Sequence, residues 1–162
     1  MYNHPDKLLM SKAIEEAKSS SALGQYALGS IVVNAEGETL AIAHTSVHAD
    51  NDSTAHAEVN AIRMASKKMN NLYLQGCWLY STLEPCPMCT AAAIWAKMEG
   101  IVFGASKEDA MEFSANSADK KLTWRQIDIS SRSIIEKGEP KLKLHEGFMR
   151  DECKKLFNYA SR

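Results

Sequence analysis

Apolar residues return at helical spacing near the start of the chain. Leu9, Ala13, Ile14 and Ala17 fall on one side of residues 6 to 18 and predict a first helix. The run from Leu28 to Val33 is apolar and β-branched, Asn34-Ala35-Glu36-Gly37 is a turn signal, and Thr39 to Ala43 resumes the strand pattern. Together these predict a β-hairpin. Residues 44 to 53 are polar and read as a loop. Thr54 is then placed to cap a helix over about residues 56 to 68, with Val59, Ala61, Ile62 and Ala65 on its buried side. Cys77 to Ser81 reads as a buried strand. Pro85 and Pro87 must end it, because proline cannot donate to a ladder. Pro87 suits the first turn of a helix that continues through Ala91, Ala92, Ala93, Ile94 and Trp95. Ile101 to Gly104 is another buried strand, and Arg150 to Tyr159 closes the chain as a helix. Residues 113 to 140 have few apolar anchors and are expected to form a loop or small extra elements. Alternating helices and strands through the middle predict a layered α/β fold.

The chain has 162 residues, a length that fits one domain over 1–162. No apolar run approaches the roughly 18 residues of a membrane span, and the first residues lack a secretory signal pattern, so a cytoplasmic protein is expected. A net charge of −1 gives a long nucleic-acid partner no support from composition. Lys67, Lys68, Lys120, Lys121, Lys154 and Lys155 are the cations that could serve one, although a solvated face is their usual role. Four cysteines in a chain this long do not make a disulfide scaffold, and two of them stand at C-x-x-C spacing.

That pair, Cys86 and Cys89, lies at a strand-to-helix junction. Residues three apart near a helix start face the same way, and the unpaired N–H groups there favour thiolate. His56, at the start of the other helix, can add an imidazole nitrogen. Two thiolates and one imidazole bind zinc and leave one tetrahedral position for water, as a catalytic site requires. Glu58 is two positions from His56 and so points elsewhere on the helix, which suits a carboxylate that moves protons instead of binding metal. Each piece has a plainer reading alone: a redox pair or half a structural zinc site for the cysteines, a hydrogen-bonded helix-start residue for His56, a solvated charge for Glu58. A closed structural site would need one more protein ligand. Cys77 lies too far along an extended strand, while Cys153, His44 and His48 remain open; Cys77 and Cys153 otherwise read as buried apolar residues. His4 and His145 read as surface residues.

Thr54-Ala55-His56-Ala57-Glu58-Val59 and Glu84-Pro85-Cys86-Pro87-Met88-Cys89 follow the pattern H-x-E…P-C-x-x-C, and the chain resembles the cytidine-deaminase-like superfamily in its guanine deaminase and tRNA adenosine deaminase branch, most clearly over residues 29–104. The resemblance implies a three-layer α/β/α fold with a central five-stranded mixed sheet, one zinc ion per chain, a homodimer, and hydrolytic removal of an exocyclic amine as ammonia. Asn51-Asp52-Ser53-Thr54, Ala61-Ile62-Arg63 and Trp95-Ala96-Lys97 are closer to guanine deaminases; Thr82-Leu83-Glu84 and the stretch Glu146 to Cys153 are closer to the tRNA enzymes. Thr45 stands where both branches place an asparagine that grips the base. Ala27-Leu28-Gly29 and Phe113-Ser114-Ala115 also depart from the guanine deaminase pattern. The expectation is a small-molecule deaminase with guanine or a related aminopurine as substrate. The alternatives are a tRNA adenosine deaminase, a cytosine or cytidine deaminase and, in another class, a non-catalytic zinc-stabilised binding module. Leu28, Thr45, Ser46 and Phe113 are the candidate substrate contacts, and the backbone at Pro85 and Cys86 is the candidate partner for developing negative charge.

Overall fold

The computed structural model describes residues 2–118 and 127–159. Five strands form one mixed sheet in the order β2-β1-β3-β4-β5, with β1 over Gly29–Val33, β2 over Thr39–His44, β3 over Trp78–Leu83, β4 over Gly100–Ala105 and β5 over Lys143–His145. β1 runs antiparallel to both β2 and β3, whereas β3, β4 and β5 are mutually parallel. All residues of β1, β3 and β4 are buried, as strands covered on both faces must be.

Side-chain alternation explains the three layers. Ile31, Val33, Trp78, Tyr80 and Val102 point to one face, where they meet Leu9, Met10, Ala13, Ile14 and Ala17 of α1 (Lys7–Ala22) and Leu156 and Phe157 near the C-terminus. Val32, Leu79, Ile101 and Phe103 point to the other face, against α2 (Ala57–Met69), α3 (Pro87–Trp95) and Ile135 of α5 (Ser131–Lys137). This is the α/β/α architecture that the resemblance implied. No helix among the described residues is long and apolar enough to cross a membrane.

The hydrophobic pattern located the central elements to within a few residues, and the departures have physical causes. α1 runs past residue 18 because Ser20 and Ser21 are buried and tied down, Ser20 Oγ donating to Tyr26 O at 2.7 Å and Ser21 Oγ to Tyr159 O at 3.1 Å. Thr54 does not cap α2. Its hydroxyl donates to Asp52 Oδ1 at 2.7 Å, and His56 is the N-cap, without a side-chain capping bond. The expected C-terminal helix divides into α6 (Arg150–Lys154) and a 3₁₀ turn over Lys155–Tyr159. Within residues 113 to 140 the structure places the end of α4 (Lys107–Asn116) and all of α5, both capped by serines, Ser106 and Ser130. Lys120 and Lys121 lie outside the described residues.

His4 and His145 are not plain surface residues. Trp78 lies between them, with ring centroids 4.4 Å from His4 and 5.5 Å from His145, and His4 Nδ1 is 2.7 Å from the buried Tyr80 hydroxyl. The N-terminal residues thereby close over the sheet at β3.

Candidate metal centre

Two helices begin beside the C-terminal end of β3, and each is capped by a donor residue. His56 is the N-cap of α2 and Cys86 the N-cap of α3, so both residues have extended backbone and side chains turned toward the helix mouths. Cys89 follows one turn into α3. The three donor atoms lie within 4.8 Å of one another. Cys86 Sγ is 3.5 Å from Cys89 Sγ and 3.6 Å from His56 Nδ1, and Cys89 Sγ is 3.5 Å from His56 Nδ1. A tetrahedral zinc with ordinary bond lengths needs S–S and S–N edges of about 3.8 and 3.6 Å. The residues present therefore fit zinc through Nδ1 and two sulfurs with little rearrangement, these three donors supplying three of four tetrahedral corners.

Charge in the cluster is unequally shared. The Cys86 thiol is pulled down to about 4, chiefly by its hydrogen bond with Cys89 and further by His56 and the Cys89 backbone N–H, against the effect of burial. Cys89 is pushed well up by the same shared proton and by burial beside Glu58. A divalent cation among the three atoms stabilises both thiolates. Glu58 is buried at 7% exposure and lies outside the donor group: its Oε2 is 3.5 Å from Cys89 Sγ, and its Oε1 accepts from Ser81 Oγ at 3.0 Å. Burial, followed by the charge of Cys86, raises its pKa, while His56 and Ser81 oppose the rise. A carboxylate held this way resembles a proton carrier more than a surface charge.

Residues 3–105 match the family model of the cytidine and deoxycytidylate deaminase zinc-binding region. The chain belongs to this family. Among its relatives, a tRNA-specific adenosine deaminase of Aquifex aeolicus is 45% identical over 93 residues, covering 57% of this chain and 61% of that protein. A guanine deaminase of Bacillus subtilis is 38% identical over 100 residues, covering 62% of each. The matched stretch thus spans about three fifths of the length of these curated relatives. Among solved structures, one from a study of A-to-I editing by tRNA:A34 deaminases at the wobble position superposes with a TM-score of 0.77 at 26% identity, covering 93% of this chain and 99% of that one.

In this member of the deaminase family the other expected site residues are less concentrated. Thr45 is fully buried, and its hydroxyl donates to Ala55 O at 3.3 Å, while its N–H donates to Leu28 O at 3.3 Å. Ser46 Oγ donates to Asp50 Oδ2 at 2.5 Å and accepts from Asn60 Nδ2 at 3.0 Å. Leu28 and Phe113 pack against the α1 side of the core, with the Phe113 ring 5.4 Å from that of Phe157. Pro85 has no N–H, so only Cys86 of that pair can offer a backbone donor; the Pro85 carbonyl instead accepts from Thr90 and Ser131. His44 and His48 are not further metal donors: His44 Nδ1 sits 2.6 Å from Glu16 Oε1, and the His48 ring packs beside Tyr26. Cys77 and Cys153 are buried, as read from the sequence. Ser81, Glu84, Thr90 and Ser131 surround the centre and were not singled out individually by the sequence. Ser81 had a signal, since alternation along β3 puts it on the same face as Leu79, toward α2.

Proposed function

We propose that this protein is a zinc-dependent hydrolytic deaminase that converts adenosine to inosine in tRNA. The carrying observation is the donor set His56, Cys86 and Cys89 with the buried Glu58 beside it but outside it. Zinc held by His56, Cys86 and Cys89 would supply Lewis acidity that makes a water molecule easier to deprotonate. Glu58 would take one proton from the attacking water and pass it to a ring nitrogen, then take the second from the added hydroxyl and pass it to the leaving amine. Oxygen joins the ring carbon, the C–N bond breaks and ammonia leaves. The Cys86 N–H, at the mouth of α3, is the backbone group available to developing negative charge. Leu28, Ser46 and Phe113 would be the substrate contacts, whereas Thr45 is buried with its hydroxyl donating to Ala55 O.

The tRNA substrate replaces the guanine preference expected from local motifs. Its support is the higher identity to a tRNA-specific relative and the likeness to a tRNA:A34 deaminase structure over nearly the whole chain. Lys67, Lys68, Lys154 and Lys155 are the described cations that would meet phosphate. Guanine stands as the second reading, supported by the Bacillus subtilis relative and the net charge of −1. The chain would act as one domain, in the cytoplasm where its thiols stay reduced, and as a homodimer. A second copy would dock over the cavity of about 450 Å³ lined by Tyr73, Ala91, Ile94, Trp95, Lys97 and Ile134, three of which belong to α3.

The test is ammonia release from an anticodon stem-loop, adenosine, guanine, guanosine, cytosine and cytidine. Release from the stem-loop, with affinity falling steeply as salt rises, is expected. Release from free guanine alone would replace the tRNA reading with the second one. In Glu58→Gln, about one zinc per chain should remain while turnover falls by roughly 10²- to 10⁴-fold. A protein that binds zinc but releases ammonia from no member of the panel would indicate a non-catalytic zinc module.

A further inference from the structure

Glu84 lies immediately before the metal loop, and the mechanism above does not use it. Its side chain is buried at 3% exposure. One oxygen accepts from Lys107 N at 2.7 Å and the other from Ser131 N at 2.9 Å. These are the first residues of α4 and α5, so the stretch from 107 to 131 leaves from and returns to one carboxylate. Lys107 Nζ also binds Asp128 Oδ1 at 2.7 Å, tying the two ends together. The next residue is clamped as well: Pro85 O accepts from Ser131 Oγ at 2.8 Å and Thr90 Oγ1 at 3.2 Å, and those two hydroxyls are 3.1 Å apart. Cys86 follows directly, its carbonyl accepting from Thr90 N at 2.9 Å.

We propose that Glu84, acting with Ser131, is the positioning residue for the metal loop: by fastening the starts of α4 and α5 to the peptide that precedes Cys86, it sets where that sulfur stands. This rests on the zinc reading and is independent of the substrate. The physical reason is donor–acceptor balance. A carboxylate accepts from two N–H groups at once, whereas a carboxamide in its place turns one oxygen into a donor facing another donor. One helix start must then move away, and the loop with it.

The experiment measures zinc affinity of the full chain by competition with a chromophoric chelator, together with the visible spectrum of the cobalt-substituted protein, for wild type, Glu84→Gln, Ser131→Ala and Ile14→Ala. Ile14 is a core residue of α1 on the opposite face of the sheet and serves as a stability control. Glu84→Gln should weaken zinc affinity by about tenfold or more and shift the cobalt bands. Ser131→Ala should move both in the same direction by less. Ile14→Ala should leave affinity within about twofold wherever it remains folded, since folding linkage acts only near the unfolding transition. Affinity in Glu84→Gln no lower than in the control would overturn the proposal. Should Glu84→Gln not fold, unchanged affinity and unchanged bands in Ser131→Ala would do the same. A wild type that binds no zinc removes the zinc reading itself, a result distinct from the variants' failure.

Discussion

Ser81 offers a direct measure of how tightly Glu58, the proposed proton carrier, is held. Its hydroxyl has one proton and two acceptors, Glu58 Oε1 at 3.0 Å and Leu83 O at 2.7 Å, and it sits at 2% exposure. Replacing it with alanine removes the only hydroxyl tied to the Glu58 carboxylate in the described hydrogen-bond network. A hydrogen bond to an ionisable partner contributes about 1.5–3 kcal/mol. If that orientation is used in full at the transition state, each 1.4 kcal/mol lost is about tenfold in rate, and kcat should fall roughly 10- to 100-fold. The stability cost is smaller. Leu83 O loses a buried donor, about 1 kcal/mol, which for a chain of this length lowers Tm by about 2–4 °C. The ligands are untouched, so zinc stoichiometry should stay at about one per chain by atomic absorption. Ser81→Thr, which keeps the hydroxyl on a strand that favours β-branched residues, should recover most of the rate. Steady-state turnover on whichever substrate of the panel is deaminated reads the effect. A zinc-loaded Ser81→Ala enzyme with kcat within twofold of wild type would refute the idea that Ser81 orients Glu58.

The ion pair of Asp109 with Arg150, made through Nε at 2.9 Å and a terminal nitrogen at 2.6 Å, holds the buried carboxyl well below its usual range, with the Ser106 capping box adding to the shift. A depressed carboxyl stabilises the fold fully above its unfolded value of about 3.9 and loses that contribution as pH falls through the folded value, so the Tm gap between wild type and Arg150→Met should be full at pH 7 and shrink steadily as pH falls below about 4. Because Arg150 is half-exposed and the Ser106 bonds remain, the gap at pH 7 should correspond to about 1 kcal/mol, and a gap that does not depend on pH would contradict the assignment. Gly29→Ala would put a Cβ 2.1 Å from Ala13 O and 2.8 Å from Ala17 N, both backbone atoms of α1, so the helix must lift from β1. The expected cost is about 3 kcal/mol or more, read as a Tm drop of at least about 6 °C; an unchanged melt would show that α1 does not sit this close.

How much of this could be read from the sequence depends on the range of the interactions involved. The helices over Ala57–Met69 and Pro87–Trp95 and the buried strands between them carry their own hydrophobic period, and their boundaries came out within a few residues. β5 is only Lys143–His145, one exposed and two half-buried residues; it is a strand because β4 pairs with it, and no local signal could mark it. The surface reading of His4 and His145 failed for a related reason: what covers each ring is Trp78, far along the chain from both. Thr54 failed as a cap because α2 begins at Ala57 with His56 as its N-cap, two residues beyond Thr54.

The centre divides along the same line. Its ligands were legible because helix starts are local features: an N-cap and the residue one turn on must face together, so C-x-x-C and a helix-start histidine carry their geometry in their spacing. What holds those ligands in place is nonlocal. Ser131 reaches Pro85 across 46 positions and Ser81 reaches Glu58 across 23, and serine in either context looks like any other small polar residue until the sheet brings the pair together. Zinc chemistry alone therefore leaves the substrate undetermined. The four ligand and proton-carrying residues fit deaminases of either branch, whereas Thr45, buried and bonded to Ala55 O, lacks the carboxamide that both branches were expected to place there. On the proposed deaminase reading, base recognition would be supplied by groups other than a carboxamide at that position, and ammonia release from the substrate panel reads which base they fit.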